Sequence, residues 1–125
     1  MELFNTKELL KHLNQDEKSD IQIQKVTNGV ISLFIAELKA GKTLAAHYHN
    51  EGDEIYQILA GKGNIEIGEL SGDEVKWIND YTVSSGDIFE IKPKIVHRLS
   101  NNSDEALQLI FFTPSNHLNE DRIFI

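Results

Sequence analysis

The chain has 125 residues and a mass of 14.2 kDa, enough for one domain with its own hydrophobic core. Twelve Lys and Arg stand against 20 Asp and Glu, and the formal charge of −8 disfavours electrostatic binding to nucleic acids or anionic membranes. Cysteine is absent, which excludes disulfides, thiolate catalysis and iron–sulfur clusters. A metal site in this chain must therefore use histidines and carboxylates.

The N-terminal segment is polar and lacks an apolar core followed by a cleavage site, so we expect no targeting signal and a cytoplasmic protein. Residues 5–14 are predicted to form one short helix, with Asn5 as its N-cap and Glu8 in the capping-box position. Three leucines would share one face of this helix: Leu9, Leu10 and Leu13. His12 is expected at its surface.

After residue 20 the apolar period changes from that of a helix to that of strands, and turn signals recur about every ten residues. The predicted strands cover 21–27, 30–38, 43–49, 54–60, 63–69, 74–78, 81–84, 87–91, 96–100 and 105–112. Many short strands at regular spacing predict a β-sandwich or barrel, here over about residues 21–113. We expect a single domain over 1–125, with an apolar tail over 114–125 that docks on its own barrel or on a partner subunit.

Three turn signals subdivide the middle of the chain. Ser71-Gly72-Asp73 is expected to turn an extra hairpin formed by Ile65–Leu70 and Val75–Ile78, and Asn79-Asp80 to end its second strand. Gly61-Lys62-Gly63 is interpreted as another hairpin turn, because the helix that a phosphate-binding loop requires does not follow it.

Three histidines and one glutamate are candidates for a metal site. His47 and His49 are separated by one residue, so on a strand their imidazoles project from the same face. Glu54 follows after a short turn containing Gly52, and a hairpin there would return its carboxylate to the two histidines. His97 lies far along the chain and would have to be brought in by the fold.

Each of these residues also has an ordinary structural interpretation. A His-x-His pair on a strand is common, an isolated Glu54 is typically solvated, and an isolated His97 is typically a hydrogen-bonded structural residue. Together, three imidazoles and one carboxylate form a ligand set that suits Mn, Fe, Co, Ni, Cu or Zn and does not suit Ca or Mg. An octahedral metal with these four ligands would keep two positions open for a substrate, water or O₂, unlike a closed structural zinc site.

Two segments resemble the conserved motifs of the cupin superfamily. The first reads Gly41-(x)5-His47-x-His49-(x)4-Glu54-(x)6-Gly61 and matches the family at every spaced position. The second reads Gly86-Asp87-(x)4-Lys92-Pro93-Lys94-Ile95-Val96-His97-(x)3-Asn101. The family usually has Pro where Lys92 stands and Gly where Lys94 stands. These departures concern the backbone turn before His97 and leave every ligand in place.

The resemblance covers about residues 30–113 and implies an all-β fold. This fold is a double-stranded β-helix, or jelly-roll barrel, here with one short N-terminal helix. In cupins the four matching positions, here His47, His49, Glu54 and His97, hold one divalent transition metal inside the barrel. The resemblance thus implies a metal cofactor (Mn, Fe, Ni, Zn, Co or Cu) and a small-molecule ligand in the barrel.

Alternation along the strand 54–60 predicts further residues of the cavity. Tyr56 and Ile58 share a face with Glu54 and should point into the same space. Tyr56 is therefore the candidate catalytic residue, as an acid or hydrogen-bond donor, with a buried core tyrosine as the alternative. Trp77 is expected to pack on the surface or in a dimer, and no role is predicted for His117 or Arg122 in the tail.

The resemblance does not determine a reaction, because cupins include enzymes of several classes and non-catalytic sensors. The first hypothesis is a metal-dependent enzyme, of the dioxygenase or the isomerase/epimerase type, acting on a small oxygenated organic molecule. The alternatives are a non-catalytic cupin that binds or senses metal and ligand, and a metal-free structural barrel. We expect a homodimer formed through the 21–27 strand or the apolar C-terminus, and no nucleic-acid or membrane partner.

Overall fold

A computed structural model of the chain describes residues 1–114 and 120–125. Its strands are β1 (Asn14–Gln15), β2 (Gln22–Lys25), β3 (Ser32–Leu38), β4 (Thr43–Tyr48), β5 (Glu54–Ala60), β6 (Lys62–Ser71), β7 (Glu74–Ser84), β8 (Ile88–Ile91), β9 (Val96–Ser100), β10 (Leu107–Thr113) and β11 (Ile123–Phe124). Sheet I has the order β1-β2-β3-β10-β5-β8, and sheet II has the order β11-β4-β9-β6-β7. From β3 to β10 the chain passes repeatedly between two facing antiparallel sheets, so the predicted double-stranded β-helix is confirmed.

The N-terminal helix is α1 (Thr6–Leu9), followed by a 3-10 turn (Leu10–His12). Asn5 caps the helix as predicted, since its side-chain oxygen accepts hydrogen bonds from the backbone amides of Lys7 and Glu8 at 2.9 and 3.2 Å. The helical segment is shorter than the expected 5–14, because Asn14 and Gln15 pair with β2 as strand β1. No helix among residues 1–114 and 120–125 is long and apolar enough to cross a membrane.

The longest hairpin is formed by β6 and β7 and turns at Ser71-Gly72-Asp73, as predicted. Gly72 has φ +65°, a conformation that glycine adopts without a steric penalty. The predicted turn at Asn79-Asp80 is wrong, because β7 runs through both residues. The signal there coincides with a bulge in the pairing, where the register shifts between Ile67 and Gly68 on the opposite strand.

Two predicted hairpins are crossings between the sheets instead. Gly61-Lys62-Gly63 joins β5 of sheet I to β6 of sheet II, and a Cβ added at Gly61 would collide with the backbone of Ala106. The segment from His49 to Glu54 likewise passes from sheet II to sheet I. These corners place β4 and β5 on facing walls of the barrel.

The core lies between the two sheets and is built from alternate residues of their strands. It contains Ile21, Phe34, Ala36, Leu38, Leu44, Tyr56, Ile58, Ile65, Val83, Leu99, Leu107, Leu109 and Phe111. Phe34 and Phe111 are opposite each other on β3 and β10 and stack with their ring centroids 5.0 Å apart. Polar side chains are also buried between the sheets, and they form the site described next.

The apolar C-terminus docks on its own barrel, one of the two outcomes expected for it. In β11, Ile123 lies opposite Tyr48 and Phe124 lies opposite His47 of β4. Strand β2, the other surface expected in a dimer, is paired with β3 on one side and with the two residues of β1 on the other. His117 lies outside the described residues.

Candidate metal centre and its cavity

Four buried side chains converge between the sheets. They are His47 on β4, His49 just after it, Glu54 at the start of β5 and His97 on β9. One nitrogen or oxygen atom from each lies within 4.8 Å of those from the other three. Because His47 and His97 are direct partners in the β4–β9 pairing, the fold brings in the distant histidine that local spacing could not place.

The contacts around Glu54 have the spacing of metal ligands. Its Oε2 lies 3.3 Å from His49 Nε2, and its Oε1 lies 3.4 Å from His97 Nε2. Two donor atoms that are each about 2.1 Å from one metal ion lie roughly 3.0–3.4 Å apart at octahedral or tetrahedral angles. The observed distances are longer than the ~2.8 Å of a charge-assisted hydrogen bond. They therefore fit neighbouring ligands of one ion better than direct ion pairs.

Backbone carbonyl groups orient the three imidazole rings. The Nδ1 atoms contact the carbonyl oxygens of Ala45 (from His47, 2.8 Å), Ile95 (from His97, 3.0 Å) and Asp121 (from His49). A carbonyl oxygen can only accept, so each Nδ1 carries a ring proton, and the lone pair of the neutral ring is then on Nε2. His97 Nε2 is buried without a hydrogen-bond partner in the described part of the chain. A neutral imidazole in this tautomer can bind a metal ion through Nε2.

Burial keeps His47 in the protonation state that metal binding needs. Burial, followed by the nearby charge of His97, lowers the pKa of His47 from 6.5 to about 3. The imidazole is therefore neutral at physiological pH, and a metal displaces no proton from it. The donor set, its spacing and its protonation all fit a divalent transition metal.

Tyr56 lies two positions after Glu54 on β5 and lines the same cavity. Burial, and then the charge of Glu54 and a hydrogen bond to it, raise the pKa of Tyr56 well above its ordinary value. The phenol therefore stays protonated and donates to the Glu54 carboxylate. Its ring packs edge-on against Phe89 and Phe111 at centroid distances of 5.0 and 5.5 Å, so it is also a core aromatic. Ile58, predicted for the same wall, packs within the apolar core.

A small cavity adjoins the cluster, and its lining has a polar and an apolar part. The polar part is His47, His49, Glu54, Tyr56 and Arg122, and the apolar part is Ile21, Ile23, Leu44, Leu109 and Phe111. The space open to the centres of water-sized molecules is about 20 Å³. This holds about one water molecule, so the cavity suits only a very small ligand.

The tail contributes two residues that the sequence did not identify as part of the site. Besides its carbonyl contact with His49, Asp121 accepts hydrogen bonds through its carboxylate from the amides of Asn50 and Glu51, at 2.8 and 2.9 Å. It therefore fixes the loop between two of the candidate ligands. Arg122 enters the cavity wall beside it. The available signal was a charged Asp-Arg pair directly before an apolar chain end.

The second motif keeps its backbone path despite its departures from the family pattern. Lys94 has φ +65°, in the left-handed region that favours glycine, and stands where the family usually has Gly. Its amide donates to the carbonyl oxygen of His49 at 2.6 Å, which ties this turn to the first motif. The turn thus still delivers His97 to the cluster, with backbone strain at one lysine.

A comparison with protein families finds one match. The family model described as "Cupin domain" matches residues 34–113, which is more than half of the chain. Among curated proteins none matches this chain.

Solved structures share the fold at low sequence identity. The chain is similar to the capsular polysaccharide assembling protein CapF from Staphylococcus aureus (TM-score 0.70, 22% identity, 91% of this chain and 34% of that chain). It is similar to an uncharacterized conserved protein with a double-stranded β-helix domain from Klebsiella pneumoniae (0.70, 17%, 99% and 96%). It is also similar to an oxalate decarboxylase from Lactobacillus farciminis in a formate complex (0.68, 18%, 91% and 33%). The chain thus spans about a third of two of these proteins and nearly all of the third.

Proposed function

This chain belongs to the cupin family, and we propose that it is a metal-dependent enzyme acting on a small oxygenated organic molecule. The observation that carries the proposal is the buried cluster of three Nδ1-protonated histidines and one glutamate beside a small cavity. His47, His49, Glu54 and His97 would hold one divalent transition metal. When bound, such an ion supplies Lewis-acid polarisation of a substrate oxygen, or electron transfer if it is redox-active.

The residues around the cluster would bind and orient the substrate. The apolar wall of the cavity excludes bulk water, which strengthens every charge interaction inside. Tyr56 would hold Glu54 in place through its hydroxyl, because a phenol with a raised pKa gives up its proton poorly at neutral pH. We therefore propose Tyr56 as a hydrogen-bond donor at the site. The dioxygenase and isomerase types use the same ligand set, and oxalate decarboxylase shows that this fold supports chemistry on a small carboxylic acid.

A non-catalytic cupin that binds or senses metal and ligand is the second candidate. It is favoured by the same high pKa of Tyr56, which leaves that residue a weak proton donor, and by a cavity with room for about one water molecule. Loading the protein anaerobically with Fe(II) or Ni(II) and following O₂ consumption with small acids, diketones and diphenols would separate the two. Ligand binding without turnover in the loaded protein would favour sensing over catalysis.

The metal site itself is tested by purification without chelator or His tag, followed by mass spectrometry of metal content. We expect about one equivalent of metal as purified or after reconstitution with the ions Mn, Fe, Co, Ni, Cu and Zn in turn. His49→Ala should lose this metal. The matched control is His12→Ala, because His12 is an exposed histidine of the N-terminal helical segment. Less than a tenth of an equivalent, with no uptake on reconstitution, would contradict the proposal.

We also propose a homodimer in a cytoplasmic setting. β7 and β8 are the end strands of sheets II and I, and an apolar groove lies between them. Tyr81 and Ile88 on this groove are 54% and 65% exposed. Light scattering at micromolar concentration should give twice the chain mass, and Ile88→Asp should reduce it to one chain. A monomeric wild type would contradict the dimer.

A further inference from the structure

Arg122 brings a positive charge into the wall of the candidate metal cavity. Among the described residues that line this cavity, Arg122 is the only lysine or arginine. Its side chain is 3% exposed, so the charge is removed from bulk water. Burying a guanidinium is unfavourable unless its N–H donors find hydrogen-bond acceptors.

Only part of the guanidinium of Arg122 is satisfied within the chain. Its Nη1 and Nη2 donate to the two carboxylate oxygens of Asp16 at 2.8 and 3.1 Å. This end-on pairing leaves the other edge of the fork, which carries Nε, outside the ion pair. Nε is buried and has no hydrogen-bond partner among the described residues. A permanently protonated donor in this position lacks one acceptor.

The side chain is held at a fixed place relative to the metal cluster. The guanidinium of Arg122 lies 5.2 Å from the ring centroid of Phe124. Phe124 is paired with His47 in the β11–β4 register, and their rings are 5.5 Å apart. The pairing with Asp16 fixes the other end of the group. A ligand therefore meets a preorganised donor.

The charges of the cavity favour an anion only when a metal is bound. The two positive charges of a divalent ion exceed the single negative charge of Glu54 by one, and Arg122 and Asp16 cancel each other. A monoanion would neutralise what remains. Without the metal, the charge of Glu54 would repel the same anion.

We infer that the missing acceptor of Arg122 Nε is the carboxylate of a small substrate or ligand that reaches the metal cluster at the same time. The inference rests on the metal site proposed above. A carboxylate is planar and presents two oxygens at the spacing of an arginine fork. A cavity open over about 20 Å³, roughly the space of one water molecule, favours the smallest planar carboxylates over the larger, tetrahedral phosphate or sulfate. Arg122 is thus the residue that would select the substrate class.

Calorimetry on the metal-loaded protein tests the inference, with metal content measured on each sample. Formate, acetate and glycolate are the carboxylate probes, formamide and acetamide are their neutral counterparts, and phosphate and sulfate are the tetrahedral anions. We expect carboxylates to bind at least tenfold more tightly than the amides and the tetrahedral anions. Binding should disappear in the metal-free protein.

The variant Arg122→Lys keeps the positive charge but lacks the Nε edge. We expect it to bind carboxylates at least tenfold more weakly at unchanged metal content. Arg98→Lys is the matched control, because Arg98 is also paired with a carboxylate and stacked on an aromatic ring but lies outside the cavity. If Arg122→Lys fails to fold by circular dichroism, the double variant Asp16→Asn/Arg122→Gln removes both charges together and should show the same loss.

The outcomes separate this inference from the proposed function. Equal carboxylate affinity in the wild type and in the Arg122 variants overturns the inference, and so does equal affinity for amides or phosphate. In those cases a stoichiometric metal content leaves the proposed metal site intact. A protein that takes up no metal overturns the metal site first and the inference with it.

Discussion

His97 and Arg98 are neighbours on β9 and face opposite sides of sheet II. His97 is buried among the candidate ligands inside the barrel. Arg98 lies on the outside, where Nε and Nη2 donate to Glu66 at 2.5 and 2.9 Å and the guanidinium lies 4.5 Å from the ring centroid of Trp77. Arg98 finds its partners within the chain, whereas His97 Nε2 is buried without a hydrogen-bond partner among the described residues. Strand β9 thus has an outer face, with Arg98 in a structural ion pair, and an inner face, with His97 in the candidate metal cluster.

The two arginine–carboxylate pairs repeat this difference. Arg98 and Glu66 have side chains that are 36% and 25% exposed, whereas those of Arg122 and Asp16 are 3% and 11% exposed. Arg98 uses its Nε on Glu66, whereas the Nε of Arg122, a residue of the cavity wall, has no hydrogen-bond partner among the described residues. The different roles proposed for the two arginines therefore rest on their burial and on whether Nε already has a partner within the chain.

The largest expected effect is on metal affinity, and it contrasts the two faces of β9 directly. His97→Ala should weaken metal binding by about 2.5–4 kcal/mol, roughly a hundred- to a thousandfold, because each of four ligands carries roughly a quarter of a typical 10–16 kcal/mol. Arg98→Ala should leave metal affinity within about twofold. Competition with a chromophoric chelator measures both. Equal losses in the two variants would show that the faces are not separate.

The next effect is on stability and compares the two arginines. Arg122→Ala leaves the largely buried Asp16 carboxylate without its partner and should lower the free energy of unfolding by about 3 kcal/mol. Arg98→Ala removes a more exposed pair and should lower it by about 1 kcal/mol or less. Urea denaturation of the metal-free proteins gives both values. A larger loss at Arg98 would reverse the interpretation of the two pairs.

Acid should destabilise the metal-free protein because His47 is buried in its neutral form. Burial, with the charge of His97 second, lowers the pKa of His47 to about 3, whereas the unfolded chain titrates near 6.5. Between these values the unfolded state binds more protons, so the free energy of unfolding falls with falling pH, by up to about 1.4 kcal/mol per unit. The stabilisation that the neutral His47 contributes is fully present above pH 6.5 and is lost as the pH falls toward 3.

His47→Gln should flatten this dependence between pH 6.5 and 4.5, and Arg98→Ala should keep it, since a guanidinium does not titrate there. Urea midpoints at pH 6.5, 5.5 and 4.5 provide the measurement. An unchanged slope in His47→Gln would assign the acid sensitivity to other groups.

Strand faces could be predicted from the sequence, because alternation is a local property. His47 and His49 share an inward face, and Glu54 and Tyr56 do so on the next strand, as their spacing indicated. The path between strands could not be predicted in the same way. A hairpin and a corner between sheets have the same glycine-containing turn signals, so the segments at Gly52 and Gly61 were misinterpreted.

The contribution of the tail to the cavity also could not be predicted from local sequence patterns. Strand β11 has two residues, too few to show any periodicity, and its partner β4 lies far earlier in the chain. The placement of Arg122 in the cavity depends on that long-range pairing. The two motifs that resemble those of the cupin family therefore indicated the four residues of the cluster but not Arg122 beside them.

The smallest expected effect concerns the turn at Lys94, which lies directly before β9 and His97. Lys94 is held at φ +65°, which costs a residue with a Cβ roughly 1–2 kcal/mol. Lys94→Gly removes this strain but adds about 0.5–1 kcal/mol of backbone entropy to the unfolded chain. We expect a gain in unfolding free energy of about 0.5 kcal/mol, with metal affinity unchanged. At Lys92 the backbone has no such strain, so Lys92→Gly should give no gain.

A lower free energy of unfolding in Lys94→Gly would show that the lysine side chain stabilises the turn. If metal affinity fell as well, this turn, and not the β4–β9 pairing, would be what positions His97.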